Sequence, residues 1–310
     1  MIDAARERLL VIRLSAFGDV IHTIPAVVAL REALPETEIA WAVEPPYAEL
    51  VERVAGVKPI RVSLKRWSIA RIAAAKRDVR GFSAAIDFQG LIKSALIARA
   101  SGAGERYGFA RDVIRETPAA WFVNRHANVD RSKHVVEWNL ALARTFAPAI
   151  ARVPEVDFTP FAEDASGELA RFANRVVLLP GAGKPGKQWP VERFAKLAAR
   201  IGGDAVVVWG PGEEEHARAI GAEVAPATNF RELAFVLSRA RLVIGADTGP
   251  LHLAAALGTP LIGLYGPTDP ARNGPYGQLD RVVSSFATTK SMDDIAVDAV
   301  ERLILKINVR

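Results

Sequence analysis

The six residues at 247–252, DTGPLH, bring together side chains that suit an anionic ligand. The apolar run before them is typical of a strand, and their proline favours the first turn of a helix. Asp247 or Thr248 can cap that helix, whose free N–H groups and dipole attract anions. Gly249 lets a ligand approach the backbone, and His252 would face the same ligand. The segment therefore predicts a binding turn, while its simpler interpretation is a helix cap beside a buried histidine.

A second candidate for anion chemistry is the segment GAGKPGKQ at 181–188. It matches both G-x-G-x-x-G and G-x-x-x-x-G-K. Gln188 stands where a P-loop needs Ser or Thr for magnesium, Pro190 interrupts the helix that a P-loop needs, and Pro185 opposes the dinucleotide motif. A flexible loop with two lysines at a strand end still suits a phosphate or diphosphate. The alternative is a surface turn with solvated lysines.

Carboxylates stand at the starts of two further predicted helices. Asp19 ends the loop 15–19, and a carboxylate placed there can act as a general base. The competing interpretations are an N-cap for Asp19 and His22 as the base. The acidic run 213–215 follows another strand and can take two ribose hydroxyls, although acids in a first turn also stabilise a helix by themselves.

The positive charge of the chain is concentrated in one window. The 310 residues carry a net charge of +5. Residues 61–80 hold seven basic residues and one acid, so this window alone is +6. At about 100° per residue, five of its cations share roughly a third of a helix circumference. This basic strip predicts an anionic partner, and its alternative is a solvated face. The strip consists of Lys65, Arg66, Lys76, Arg77 and Arg80, and the window also contains Arg61 and Arg71.

The elements that must position these residues alternate between short apolar runs and amphipathic segments, as in parallel βα units. Strands are predicted at Leu9–Leu14, Glu38–Val43, Pro59–Val62, Ala84–Phe88, Arg106–Phe109, Val176–Leu179, Ala205–Trp209, Leu242–Ala246 and Leu261–Tyr265. Helices are predicted at Val20–Ala33, Arg66–Val79, Leu91–Ala100, Val191–Ile201, Glu213–Glu223, Arg231–Ala240, Pro250–Leu257 and Ile295–Ile307. Because ligands bind at the carboxyl ends of such strands, the candidate loops belong at the binding edges of the sheets.

Two domains account for the length and the pattern. The candidate linker, Val153–Ser166, has no clear period, so we expect α/β Rossmann-like domains at 1–160 and 161–310, facing across a cleft. The uncharged stretch 248–268 holds three prolines and four glycines, which predicts two short buried elements and not a membrane span. The absence of cysteine excludes disulfide scaffolds, thiol catalysis and Cys-ligated metal sites.

These motifs together resemble the lipopolysaccharide heptosyltransferases of glycosyltransferase family 9, over nearly the whole chain. The resemblance lies in SAFGDVIH at 15–22, in Asp87 with Gln89-Gly90, and in 247–252 continuing to YGPTDP at 265–270. KQWP at 187–190 and the Arg115-Glu116 segment are closest to the subgroup that adds the first heptose to the Kdo region of lipid A, heptosyltransferase I. The heptosyltransferase II subgroup and a 2-epimerase acting on a sugar nucleotide remain alternatives.

The resemblance implies a GT-B fold and an inverting transfer from ADP-L-glycero-β-D-manno-heptose, without a cofactor or a required metal. Asp19 would be the catalytic base. The chain has Ala182 and Gly183 where members of the family carry two threonines before the diphosphate lysine, and it has Thr228 where some members carry a methionine near the adenine. The remaining donor-site residues would be Lys187, Glu214, Asp247, Thr248, Gly249 and His252. The acceptor-site residues would be Ser15, Gly18, His22, Arg61, Lys65, Arg66 and Arg115.

Other classes of function fit the sequence less well. A sugar-binding receptor would carry a secretory signal, and the N-terminal apolar run is too short for one. Nucleic-acid binding favours aromatic residues between the cations, and the basic strip offers only Trp67. We therefore expect a cytoplasmic enzyme that contacts the inner face of the inner membrane peripherally, with an anionic glycolipid, Kdo-lipid A, as acceptor.

Overall fold

Short apolar runs, each followed by a helix or a turn, form two parallel sheets in the computed structural model, which describes residues 7–63, 76–162, 167–183 and 186–307. The chain divides into two compact units, Met1–Val156 and Asp157–Arg310, called here the N-terminal and the C-terminal unit. The division falls inside the predicted linker, four residues before the predicted boundary. Within the described residues, no helix has the length and apolar composition to cross a membrane.

The N-terminal unit holds a six-stranded sheet in the order β3-β2-β1-β4-β5-β6. All of its pairings are parallel, and β1 lies between β2 and β4. The strands are β1 Arg8–Ile12, β2 Glu38–Val43, β3 Val57–Arg61, β4 Ala84–Asp87, β5 Glu105–Phe109 and β6 Arg125–Ala127. The described α-helices are α1 Phe17–Ala33, α2 Ala48–Glu52, α3 Ile92–Ala100 and α4 Val135–Phe146.

The C-terminal unit repeats this topology with the order β12-β11-β10-β7-β8-β9. The strands are β7 Val176–Leu179, β8 Ala205–Val207, β9 Glu223–Val224, β10 Leu242–Ala246, β11 Leu261–Tyr265 and β12 Val282–Ser284. The described α-helices are α5 Val191–Ile201, α6 Glu214–Ala219, α7 Phe230–Arg239, α8 Gly249–Ala256, α9 Pro270–Asn273 and α10 Val297–Ile307. In each unit the first strand pairs with the fourth, which is the switch point where ligands bind in doubly wound sheets.

The central strands are buried on both faces, which explains why they appear in the sequence as continuous apolar runs. Val176–Leu179 and Leu261–Tyr265 are buried throughout. The uncharged stretch 248–268 forms α8, a turn and β11, as expected. Each unit has its own core, the first around Leu10 and Ile12, the second around Leu178 and Ile244.

The structure corrects several predicted bounds. The predicted helix Glu213–Glu223 ends at Ala219, because Gly221 adopts a φ of +78° and Glu223 already belongs to β9. The predicted strand Ala205–Trp209 ends at Val207. Helices α4 and α9 and the short strands β6, β9 and β12 had no counterpart in the prediction. Residues 64–75, most of the predicted basic helix, lie outside the described residues.

Candidate active site

At the switch point of the N-terminal unit, the turn after β1 presents the carboxylate of Asp19. Asp19 lies in the first turn of α1, and its Oδ2 accepts a hydrogen bond of 3.3 Å from the backbone N–H of Ala16. The N-cap of α1 is Ala16 and not Asp19, which is the third helical residue and reaches back to the N–H of that cap residue. The side chain nevertheless remains 37% exposed. A carboxylate offers about four acceptor positions, so Asp19 keeps free positions for a substrate hydroxyl.

The other carboxylate oxygen is held by Arg13, a residue that the sequence analysis did not select. Arg13 Nη2 lies 2.7 Å from Asp19 Oδ1, and Nη1 donates a hydrogen bond of 2.6 Å to the backbone oxygen of Phe88. Arg13 is only 9% exposed. A charged residue just after a buried strand was the one available signal, because such residues are almost never buried unless they are paired.

The end of β4 carries a buried carboxyl group, Asp87, beside Asp19's turn. Oδ1 of Asp87 accepts hydrogen bonds from the N–H groups of Gln89 (2.9 Å) and Gly90 (3.2 Å), and Oδ2 accepts one from Ser94 Oγ (2.9 Å). Gln89 in turn accepts the N–H of Leu14 at 2.9 Å. Asp87 thus links the ends of β1 and β4 without facing solvent.

Burial raises the pKa of Asp87 to about 6, although its hydrogen bonds and the charge of Arg13 oppose this effect. Because the folded pKa is higher than the usual 3.8, its contribution to stability is full below pH 4 and is lost as the pH rises through 6. We expect the unfolding free energy to fall by roughly 3 kcal/mol across this window, relative to Asp87→Asn. Urea unfolding of both proteins at pH 4 and pH 7 measures the difference. Equal pH dependence would contradict the burial effect.

The predicted acceptor residues lie in different settings. Ser15 and Gly18 share the turn of Asp19, and both are half-buried. His22 is buried, and its ring lies edge-on to that of His134 at 5.1 Å. Arg61 pairs with Glu52. Arg115 is exposed.

Two further predicted acceptor residues, Lys65 and Arg66, lie outside the described residues. At the described end of the basic strip, Lys76, Arg77 and Arg80 are exposed while Val79 is buried. This end therefore has the orientation that the helical spacing predicts, with the cations toward solvent and the apolar residue inward.

In the C-terminal unit, the loops after β7 and β10 bring three predicted donor residues together. Lys187 Nζ lies 2.5 Å from Asp247 Oδ2, and His252 Nε2 lies 3.1 Å from Asp247 Oδ1. Strands β7 and β10 are neighbours, with Leu179 opposite Gly245. Parallel pairing therefore joins side chains that are 60 residues apart in the sequence.

The carboxyl group of Asp247 is mostly buried, with a side chain 10% exposed. Burial raises its pKa, but the hydrogen bonds and charges of His252 and Lys187 outweigh burial and lower the pKa to about 2. Asp247 is therefore ionised at neutral pH. It holds Lys187 at the edge of the sheet, where the ammonium group, 28% exposed, can meet an anionic ligand.

A cavity of about 370 Å³ lies beside this cluster, at the ends of β7 and β8. Glu213 lies in its wall, and Glu213 Oε2 accepts a hydrogen bond of 2.9 Å from the N–H of Gly210. A Cβ at Gly181 would overlap the Glu213 carboxylate at 2.1–2.4 Å, so a larger residue there would displace that carboxylate from its position. The lining residues are Pro180, Gly181, Gly186, Gln188, Trp189, Pro190, Val191, Glu213, His216, Ser291, Met292 and Asp293.

Glu214, the predicted ribose acid, does not line this cavity among the described residues. It begins α6 and pairs with Arg218 at 2.5 Å. The carboxylate in the cavity wall belongs to its neighbour Glu213. The sequence predicted a glutamate of this loop. Which glutamate of the acidic run faces the cavity depends on the tight turn Gly210–Gly212, whose last glycine has a φ of +83°.

The other predicted donor residues lie around the same sheet edge. Ala182 and Gly183 lie in the loop that follows β7, and Thr228 is half-buried between β9 and α7. Thr248 is the N-cap of α8 and Gly249 is its first residue. The predicted donor residues therefore follow four neighbouring strands of this unit, β10, β7, β8 and β9.

The family model of glycosyltransferase family 9 (heptosyltransferase) matches residues 72–302. Lipopolysaccharide heptosyltransferase 1 of an Escherichia coli strain is 31% identical, covering 96% of this chain and 97% of the relative. The protein of the same name from Pseudomonas aeruginosa is 33% identical, covering 87% and 82%. Lipopolysaccharide heptosyltransferase 2 of Salmonella typhimurium is 27% identical, covering 57% and 56%.

The solved structures agree with these matches. The E. coli heptosyltransferase WaaC with ADP is similar at a TM-score of 0.81 and 29% identity, covering 96% of this chain and 99% of that one. This similarity confirms the predicted α/β fold class, GT-B. The chain therefore belongs to glycosyltransferase family 9, the heptosyltransferase family.

Proposed function

We propose that this enzyme is heptosyltransferase I, which transfers heptose from ADP-L-glycero-β-D-manno-heptose to the Kdo region of lipid A. The observation that carries the proposal is the cluster of Lys187, Asp247 and His252 at the switch point of the C-terminal unit. The choice of the first heptose is supported by the coverage of the relatives named heptosyltransferase 1, which is greater than that of heptosyltransferase 2 from Salmonella.

In the proposed reaction, Asp19 takes the proton from the acceptor hydroxyl as that oxygen attacks the anomeric carbon of the heptose. The bond between this carbon and the diphosphate oxygen breaks in the same displacement, and ADP leaves with the electron pair. Attack from the opposite face inverts the β-linked donor to an α-linked product. Asp19 is suited to this role because its carboxylate is oriented by two contacts and still reaches solvent.

Lys187 is proposed to balance the charge that develops on the departing diphosphate. Its ammonium group carries three donors, and Asp247 engages one of them. The first residues of α8 add free N–H groups on the same edge, which favour an anion. The donor thus belongs to the C-terminal unit and the acceptor to the N-terminal unit. The acceptor's phosphates and carboxylates are proposed to meet Arg61, Lys65, Arg66 and Arg115.

The direct test combines three nucleotide sugars with and without the acceptor. We expect release of ADP from ADP-heptose only when Kdo-lipid A is present, and little turnover of UDP- or GDP-sugars. Transfer only to an acceptor that already carries a heptose would favour heptosyltransferase II. Isomerisation of a UDP-sugar without any acceptor would favour the 2-epimerase alternative and would overturn the proposal.

The acidic run allows a matched pair of variants. We expect Glu213→Gln to weaken ADP-heptose binding by roughly 10-fold, because a carboxylate in the cavity wall forms charge-assisted hydrogen bonds with ribose hydroxyls. Glu214→Gln should leave affinity within about twofold, since Glu214 is engaged with Arg218 outside the cavity lining. Calorimetric titration of both variants measures this. The reverse order of effects would return the ribose contact to Glu214.

Peripheral contact with the inner face of the inner membrane is a further part of the proposal. Trp121 is 72% exposed on the N-terminal unit, and tryptophan prefers the membrane interface. The same loop presents Arg111 and Arg115, which are exposed and form no ion pair with any described acidic residue. An exposed aromatic ring in the same segment as two exposed cations suits an anionic lipid surface.

Sedimentation with lipid vesicles tests this contact. We expect the wild-type protein to bind phosphatidylglycerol vesicles and not phosphatidylcholine vesicles, and Trp121→Ala to lower the bound fraction several-fold. Leu305→Ala is the matched control, because Leu305 is 75% exposed on the C-terminal unit. Equal losses in both variants would contradict the assignment to Trp121.

A further inference from the structure

Arg13 is a buried cation whose guanidinium group bridges two parts of the N-terminal unit. Nη1 donates to the backbone oxygen of Phe88, just after β4, and Nη2 pairs with Asp19 in the first turn of α1. The two distances, 2.6 and 2.7 Å, lie within the range of strong charge-assisted hydrogen bonds. One rigid group thus ties the proposed base to the sheet.

The backbone around Arg13 is fixed independently of its side chain. The N–H of Arg13 donates to Ala42 of β2 at 3.3 Å, and its carbonyl accepts from Trp41 Nε1 at 3.1 Å. The side chain is 11% exposed, so few rotamers are available to it. Because both the backbone and the side chain of Arg13 are held in place, its planar guanidinium group has one orientation. The carboxylate that it binds is therefore oriented as well.

The contacts of Asp19 show how the guanidinium group orients its carboxylate. Arg13 holds Oδ1 and the backbone of Ala16 holds Oδ2, so the plane of the carboxylate is set from both sides. The Ala16 contact is the longer of the two, at 3.3 Å against 2.7 Å. The stronger constraint on the carboxylate is therefore the guanidinium.

We propose that Arg13 is a positioning residue for heptosyl transfer, which holds the Asp19 carboxylate in the orientation that accepts the proton. This inference rests on the proposed function and deepens it, because Arg13 acts on the reaction only through Asp19. A displaced base loses rate even when it remains chemically intact, since a shift of about 1 Å costs roughly 10²-fold. Arg13 itself needs no contact with either substrate.

A double-mutant cycle isolates this role. With ADP-heptose and Kdo-lipid A, we expect Arg13→Gln to lower kcat by about 10- to 100-fold while the Kd for ADP-heptose stays unchanged. In an Asp19→Asn background, the same substitution should lower kcat by less than about twofold, because the base it positions is gone. Losses that multiply in the double variant would overturn the inference, as would a wild-type kcat in Arg13→Gln.

A conservative variant separates positioning from folding. Arg13→Lys keeps the charge, but a single ammonium group cannot reproduce the planar fork that reaches both Phe88 and Asp19. We expect Arg13→Lys to keep the wild-type Tm and still lose about 10-fold in kcat. A wild-type kcat in this variant would overturn the bridging role. Wild-type turnover in Asp19→Asn alone would instead remove Asp19 as base and so count against the proposed function.

Discussion

Replacing Asp19 with asparagine is expected to lower kcat for heptosyl transfer by roughly 10²-fold or more, because an amide cannot accept the acceptor's proton. Affinity for ADP-heptose should remain within about twofold, since the proposed donor residues belong to the C-terminal unit. Steady-state kinetics with saturating Kdo-lipid A, together with calorimetric titration of the donor, measures both quantities. Unchanged turnover would exclude Asp19 as the base.

The choice of asparagine follows from the structure. Asp19→Ala would leave the buried guanidinium of Arg13 without its carboxylate, so a loss of stability would accompany the loss of the base. Asn keeps an oxygen for Arg13 and fills the same volume. Glu137→Gln is the matched control, because Glu137 is also an acid in the first turn of a helix of this unit. A similar loss in that control would point to an effect on helix ends.

Replacing Lys187 with alanine is expected to weaken ADP-heptose binding by about 10- to 100-fold, because the variant loses a charge-assisted hydrogen bond to the diphosphate. The control is Lys196→Ala, an exposed lysine on α5 of the same unit. Equal affinities of wild type and Lys187→Ala, measured by calorimetry, would remove Lys187 from the donor site.

The same variant has a pH signature. The folded pKa of Asp247, about 2, is below its usual value of 3.8. Its pairing therefore stabilises the fold above pH 4 by roughly 2 kcal/mol, a contribution that is lost as the pH falls through 2. Without Lys187 this pKa should be higher, so acid unfolding of Lys187→Ala should begin at a higher pH than in wild type. Circular dichroism during acid titration measures the onset, and an unchanged onset would contradict the coupling.

Helix α4 is an element whose sequence pattern is sufficient to predict it. His134 caps it by accepting the N–H of Val136, and seven of its twelve residues are buried. The apolar residues occur at helical spacing, so a helix was predictable there. Short strands such as β6 and β9 are different, because runs of two or three residues carry no period that separates a strand from a loop.

The acidic run 213–215 shows the limit of local information at the site. Its position after a strand follows from the apolar pattern, and so does its place at the binding edge. Whether Glu213 or Glu214 enters the cavity depends on the conformation of the preceding glycine turn. It also depends on the space that the missing side chain of Gly181 leaves for a carboxylate. Neither is a property of the run itself.

The sequence alone predicts the alternation of strands and helices, two α/β units and the loops of the candidate site, because hydrophobic periodicity and turn residues act over a few neighbouring positions. Only the tertiary structure decided which side chains of those loops meet. The contact of Arg13 with Phe88 joins residues 75 positions apart, and the pair of Lys187 with Asp247 joins residues 60 positions apart. These contacts form only when β1 pairs with β4 and β7 pairs with β10, because no single segment specifies that strand order.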